Sequence, residues 1–460
     1  VTHVISSPPY AEVTDTPAAP TVPYAVTDRA YIAPERYFDK AFFDLENEKL
    51  WPHAWQMACR LEEIPKAGDY VEYWVAHYSV LVVRVSPTRI KAYRNACRHR
   101  GTQLAQGCGT FRGGQIVCPF HAWRWNLDGS PALPLYGSAG FDDRVLDPAT
   151  LRLVECLVDT WAGCVFINMD RDAPALMSVL APVPEYLDAL RVGEMRVEWW
   201  KGVRLEANWK LALEAFMEGW HVRGTHTQLT MGAGDAFRNP HDLQRSHPNG
   251  HASLEKDQDN QAAGTMKSNL GLGGAPDPEQ TIAYLHMVSE QLQTSVLAKD
   301  LHVAESLRTV PPEQFAKRFI AAMYEWNTGA GIKLPDPDPE VLARWSSQWF
   351  IFPNFKLHPL FGNSIAYRAR PDSGDPGHCY FEMWSLTLHP EGEELVKPAF
   401  DGEFAGDDLA WPLIARQDFG NIARQQRGMR TLSPAATRLA RRYEDGIANF
   451  HVHLDSYLGR

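Results

Sequence analysis

The sequence predicts an α+β fold: an N-terminal all-β module, then a larger domain whose helices and antiparallel sheet come in separate blocks. Three observations predict it. Between Trp51 and about Asp170 the chain is a succession of short β-rich runs bounded by Gly, Pro or Asp. After Asp172 helical periodicity takes over. From Ser346 strands return, before a last helical part that starts near Asp407. Blocks rather than alternation mean a segregated, antiparallel architecture. The composition agrees: 460 residues, 45% hydrophobic and 22% charged, with 33 Gly and 33 Pro, exclude a disordered, collagen-like or coiled-coil chain.

Taken in order, residues 1–50 read as an arm and a helix that pack on the larger domain, residues 51–170 as the β module and residues 171–460 as the larger domain. Val1 to Thr27 is rich in Pro, Thr and Ala, lacks signal-peptide character and is expected to be a loose arm or one that wraps a neighbouring subunit. Strands are expected at Tyr70–Val75, Ser79–Val85, Ile90–Asn95, Gln115–Cys118 and Gly163–Met169, with a turn at Asn126–Gly129. Helices are expected at Leu211–Trp220, Glu279–Asp300 and Pro311–Trp326, the last entered through two prolines. Later strands fall at Gln348–Phe352, Ile365–Arg370 and Tyr380–Leu388. The stretch Gln228–Pro278 has no strong periodicity and reads as a long loop, of the kind that caps a site.

The charge balance is 45 basic against 56 acidic residues, a net −11. No basic run is long enough for a nucleic-acid or membrane-surface face, and no apolar run approaches the ~18 residues of a membrane span. These features point to a cytoplasmic protein. Seven cysteines are too few and too scattered for a secreted disulfide framework.

Two cysteines stand in a pattern with histidine. Cys97-Arg-His99 and Cys118-Pro-Phe-His121 form a C-x-H, C-x-x-H array, each pair on one expected tight turn. Two chemistries compete for it. A zinc site would use all four groups on one ion, whereas a Rieske [2Fe–2S] centre puts two thiolates on one iron and two imidazoles on the other. Zinc fingers group Cys with Cys and His with His, whereas here each loop offers one of each. Gly101, Gly107, Gly109, Gly113 and Gly114 would let backbone approach the sulfurs. Cys108 lies outside the pattern and reads as a small core residue.

A second group occupies Asn208 to His226. Glu214, Glu218 and His221 are spaced i, i+4, i+7 and would share one helix face. His226 would stand about 140° from His221 on a regular helix, so both reach one ion only if the helix widens or ends, which Gly224 permits. A mononuclear iron that activates O2 typically takes two His and one carboxylate, leaving the other face open. Asp418 in Ala415-Arg-Gln-Asp-Phe-Gly-Asn421 is the best candidate for that carboxylate.

Cys97-Arg-His-Arg-Gly101 with Cys118-Pro-Phe-His-Ala-Trp123, followed at this separation by Glu218-Gly-Trp-His221 and His226, resembles the catalytic α subunit of Rieske non-heme iron ring-hydroxylating oxygenases. Phe352-Pro-Asn354 and Glu382-Met-Trp384 also look like strands of that family. The resemblance spans about Trp51 to Gly428. It implies a Rieske domain and a helix-grip catalytic domain. It also implies one [2Fe–2S] cluster per subunit on Cys97, His99, Cys118 and His121, and one Fe(II) on His221, His226 and Asp418. Catalysis would rest on these iron ligands and on Glu218, the carboxylate that links the cluster of one subunit to the iron of its neighbour within a trimer, with or without small β subunits (α3β3). The family usually carries Asp where this chain has Glu218. The extra methylene alters the relay's geometry and is compatible with a branch other than aromatic dioxygenation. By position alone, Glu214, Val222 and Ile414 are pocket candidates.

The chain shows no flavin or nicotinamide fingerprint, and Gly271-Leu-Gly-Gly274 reads as a flexible turn. Electrons are therefore expected from a separate NAD(P)H-dependent flavin reductase, directly or through a ferredoxin. The expected reaction is O2-dependent dioxygenation of an aromatic or other hydrophobic compound, in aromatic catabolism. The alternatives are monooxygenation with N- or O-demethylation, and a Rieske protein that only transfers electrons.

Overall fold

In a computed structural model of the chain, the β-rich segment folds into a seven-stranded sheet. Its strand order is 56–60, 164–168, 155–161, 89–94, 78–86, 69–75 and 108–110, with every neighbour antiparallel. The structure describes residues 22–230, 242–256, 277–337, 348–394 and 396–459. Asp69–Val75 alternates buried and half-buried positions, as a strand with one face on a core must. A separate hairpin, Gln115–Val117 with Arg124–Asn126, projects from this module. Its own small core holds Leu81, Tyr93, Ile116, Trp123 and Trp125 together with Cys97 and Cys118.

The larger domain is built on an eight-stranded sheet, ordered 242–246, 252–256, 348–351, 355–359, 363–371, 379–387, 196–205 and 402–403. Only the last pair is parallel. The central strands Asn363–Pro371 and Cys379–Thr387 are buried along nearly their whole length, because both faces are covered. On one face Tyr367 stacks on Phe216, with ring centroids 4.6 Å apart. On the other, Arg368 donates to the carbonyls of Met57 and Ala58, and Arg370 to that of Trp74, all in the β module. Both guanidiniums are held by Glu382, at 2.6 and 3.0 Å. A buried carboxylate between two buried arginines thus forms the seam between the domains.

The helices start where the sequence supplies caps. Asp39 accepts the N–H of Phe42 to open Lys40–Lys49, and Asn208 accepts that of Lys210 to open Trp209–Glu214. Asp277 with Pro278 opens Pro278–Leu292, and Pro312 opens Pro312–Gly329. Residues 22–37 lie along the C-terminal helix Asp445–Leu458. Arg36 pairs with Asp455 at 2.7 Å, and the Val26 N–H donates to the same carboxylate. The rest of the expected arm, residues 1–21, lies outside the described residues. Among the described residues no helix is long and apolar enough to cross a membrane.

Several expectations are corrected. The helix expected over Leu211–Trp220 ends at Glu214. Beyond its end the Glu218 carboxylate accepts the N–H groups of Trp220 and His221, which caps the turn that carries His221. The helix expected over Glu279–Asp300 is two, Pro278–Leu292 and Ala298–Glu305, divided at Gln293 with φ 58. The expected loop Gln228–Pro278 contains two strands, Asp242–Ser246 and Ala252–Lys256; its remaining central parts, including Gly271–Gly274, lie outside the described residues. Cys108 is exposed, on the edge strand of the first sheet, rather than in a core. Strands Gln56–Arg60, Glu155–Trp161, Arg196–Leu205 and Phe355–Pro359 carry charged or polar residues that obscure their alternation; pairing with Cys164–Asn168 makes the first a strand, and pairing on both sides the other three.

Candidate metal centres

The two Cys/His loops have the same backbone plan. The N–H of Cys97 donates to Thr102 O and that of Cys118 to Trp123 O, both at 2.8 Å. Inside each, a residue with positive φ turns the chain back: Gly101 (φ 76), whose N–H reaches Cys97 O, and Ala122 (φ 57), whose N–H reaches Cys118 O. An alanine held in the left-handed region costs about 1–2 kcal/mol, a strain typical of loops that position ligands. This geometry brings His99 Nδ1 and His121 Nδ1 to 3.2 Å from each other, while the ring of Trp123 stacks on His99. Cys97 and Cys118 are buried and the two histidines are half-buried. Burial pushes the Cys97 thiol up, the nearby Cys118 thiol adds to this, and the His99 N–H on its sulfur opposes it.

These donors suit a two-iron cluster better than one ion. The imidazoles pair with each other and the thiols pair with each other. Yet among the described residues no three of the four bring their ligand atoms within 4.8 Å of one another, as a zinc ion would require. The zinc alternative therefore fails on geometry.

His221, His226 and Asp418 do converge, with ligand atoms all within 4.8 Å of one another. Asp418 Oδ1 lies 2.9 Å from His226 Nε2 and 3.7 Å from His221 Nε2. The helical path breaks between the two histidines: a single turn, Val222–Thr225, separates them, and His226 leaves it at φ −113, ψ 58. Asp418 comes from the long helix Leu413–Leu432 and is buried. Each histidine is oriented from behind. His221 Nδ1 lies 3.0 Å from Glu218 Oε1, and His226 Nδ1 lies 2.8 Å from Gln417 Oε1. Both Nδ1 atoms face acceptors and therefore carry the protons. Both Nε2 lone pairs are left facing Asp418, the tautomer a metal ligand needs. Two imidazoles and one carboxylate on one side fit an iron with open positions.

Glu218 is largely buried against His221, with its side chain 12% exposed. Glu214, expected on the same face, turns away. It accepts from Tyr37 Oη at 2.9 Å and lies 2.9 Å from His451 Nε2 in a fully buried network with Arg36. Burial pushes its carboxyl up to about 7, against the pull of Tyr37, Lys210 and Arg36. Val222 is half-buried beside His221, and Ile414 is buried one turn before Asp418. Gln417 was not singled out by the sequence, although it adjoins Asp418 and a second residue behind each histidine is a general need of metal sites.

Comparison with known proteins agrees with both centres. The Rieske [2Fe-2S] domain model matches residues 54–134, and the ring hydroxylating alpha subunit (catalytic domain) model matches residues 190–460. The glycine betaine monooxygenase oxygenase subunit of Chromohalobacter salexigens is 31% identical over 422 residues, covering 90% of this chain and 82% of that protein. Its counterpart in Pseudomonas aeruginosa is 29% identical over 205 residues, and that alignment spans only 46% of its length. Biphenyl 2,3-dioxygenase subunit alpha of Rhodococcus jostii is 30% identical over 43% of each chain. A quaternary ammonium Rieske monooxygenase of known structure superimposes with a TM-score of 0.61 at 17% identity, over 94% of this chain and 96% of that one, which is a likeness of fold. The chain thus belongs to the ring-hydroxylating oxygenase α-subunit family, with a Rieske [2Fe–2S] domain ahead of a catalytic domain for mononuclear iron.

Proposed function

We propose that the chain is the terminal oxygenase of a multicomponent system. It would take electrons that originate in NAD(P)H from a separate flavin reductase or a ferredoxin, and use O2 to insert one oxygen atom into a small organic substrate. Hydroxylation or N- or O-dealkylation would follow. The observation that carries this reading is a two-Cys, two-His loop pair and a two-His, one-Asp triad in a single chain. Single insertion is supported by the likeness to glycine betaine monooxygenase oxygenase subunits and by Glu218 where Asp is usual.

When bound, the cluster supplies electrons one at a time and the iron activates O2. The chain's own side chains do the rest. Glu218 and Gln417 hold the Nδ1 protons of His221 and His226, so that neither ring can turn over. Asp418 supplies the one negative charge of the triad from the opposite helix. Phe216 stacks on Tyr367 and Phe381, and Phe419, next to Asp418 in the chain, meets Phe381 edge to face, so that buried aromatic rings adjoin the triad. Glu218 Oε2 is fixed by two backbone N–H groups. Carboxylate oxygens accept more than one hydrogen bond, so an imidazole from a neighbouring subunit of a trimer can also donate to Glu218.

A second reading, insertion of both oxygen atoms into an aromatic ring to give a cis-dihydrodiol, is favoured by the biphenyl 2,3-dioxygenase relative. Turnover under ¹⁸O₂ with a surrogate reductase, followed by mass spectrometry of the product, separates the two. One labelled oxygen in a hydroxylated product, or an unlabelled dealkylated product formed together with an equivalent of the aldehyde that carries off the inserted oxygen, supports the first reading, and two labelled oxygens in one product support the second. Absence of substrate-dependent O2 uptake across a broad panel leaves only an electron-transfer protein.

A further inference from the structure

Lys356 is a charged side chain in an unusual place. It lies on the strand Phe355–Pro359, opposite Tyr367, and is 2% exposed. Its ammonium sits over the rings of Phe216 and Tyr367, 5.7 and 5.3 Å from their centroids. Phe216 lies two residues before Glu218, so the ammonium belongs to the layer between the sheet and the iron-binding segment. Its hydrogen-bond partner is the Gln348 side-chain oxygen. An ammonium has three donors, and a buried one is normally paired with a carboxylate, because an unpaired one costs several kcal/mol.

Among the described residues no carboxylate lies within ion-pair distance of Lys356, unlike buried Lys210, which holds Glu46 at 2.6 Å. The two acids whose fields reach Lys356, Asp418 and Glu218, are committed elsewhere: Asp418 to the histidine pair, Glu218 to His221 and two backbone N–H groups. Burial draws the Lys356 ammonium down to about 7, with those two carboxylates resisting the fall. The faces of Phe216 and Tyr367 are occupied by this cation.

We propose that Lys356 determines substrate class: it receives the carboxylate of an organic acid, zwitterionic or simple, and so fixes the carbon to be oxidised beside His221, His226 and Asp418. This rests on the oxygenase reading above and adds the substrate's charge. A sulfonate offers the same chemistry and forms the second arm of the test.

The test uses the metal-loaded enzyme and a panel of small organic acids. Each carboxylic acid is matched with its primary amide and each sulfonate with its sulfonamide, and glycine betaine and its amide are included. Binding is read by calorimetry and O2 uptake is measured in parallel. Removing one partner of a buried charge pair typically costs roughly 30-fold or more in affinity, so acids that bind should exceed their amides by about that factor. Lys356→Met should erase the gap without changing the amides' affinity, the cluster spectrum or the iron content, and Lys356→Arg should retain part of it. Preference confined to the sulfonate arm, amides that bind as well as acids, no acid bound at all, or a gap that survives in Lys356→Met would each overturn the proposal. The wild-type comparison needs no variant and stands even if Lys356→Met fails to fold. Neutral compounds that drive O2 uptake while acids do not bind would sink the charge inference and leave the oxygenase reading intact. Acids that bind through Lys356 with no uptake across the panel would do the reverse.

Discussion

Cys97, His99, Cys118 and His121 stand on two turns that close through their own backbone hydrogen bonds, inside a module with its own core. His221, His226 and Asp418 meet only because a broken helix and a long C-terminal helix pack on the same sheet. The first site is local, with ligands paired within five residues of each other. The second is tertiary, and its two histidines are held by side chains from different segments, Glu218 and Gln417. A local site tolerates damage elsewhere. A tertiary site inherits every weakness of the packing around it.

The sharpest way to break this contrast is Asp418→Ala. It should abolish turnover and mononuclear iron binding while the visible and EPR signatures of the [2Fe–2S] cluster stay unchanged. A variant that lost the cluster as well would show that the two centres fold as one.

Next in size is the seam. Glu382→Gln leaves Arg368 and Arg370 buried without their carboxylate, which should cost about 3–5 kcal/mol in chemical denaturation. Because Arg368 also holds Met57 and Ala58, the loss should appear as earlier separation of the catalytic domain's transition from that of the cluster domain. A single coincident transition with unchanged midpoint would count against the seam.

Glu218→Gln keeps size and removes charge where the two sites are proposed to communicate. Both metals should remain bound, while turnover falls by about 10²-fold or more through lost alignment at His221. Single-turnover oxidation of a pre-reduced cluster measures this directly, and wild-type rates would make Glu218 a purely local cap.

The smallest effect is expected at Gln417→Leu, which removes the acceptor behind His226. Loss of such a partner typically weakens metal binding by about 10–100-fold. Iron titration should show the loss, with the cluster's reduction potential unmoved.

Much of this was legible in the residues. The cluster ligands could be read because two residues on one turn are neighbours in space as well as in sequence. His221 and His226 could be read because they stand in a cluster of carboxylates and imidazoles that follows the Cys/His loops at the family's separation; their spacing requires the helix to widen or end, and it does end, although at Glu214 rather than near Trp220. The antiparallel, segregated architecture followed from the order of strand-like and helix-like blocks. Strands Gln56–Arg60 and Arg196–Leu205 escaped because arginine and lysine within them look solvent-facing, and only their sheet neighbours show otherwise.

The sequence by itself determined the ligand types, their pairing on turns and the class of chemistry, since these depend on side-chain identity and on distances the backbone fixes over a few residues. Only the tertiary structure decided where each distant group went. Glu214 turned from the iron face to Tyr37 and His451, Gln417 came up behind His226, and the ammonium of Lys356 was buried beside the site with no carboxylate partner among the described residues. Side chains far apart in the chain meet through packing of sheets and helices, and no local pattern records that meeting.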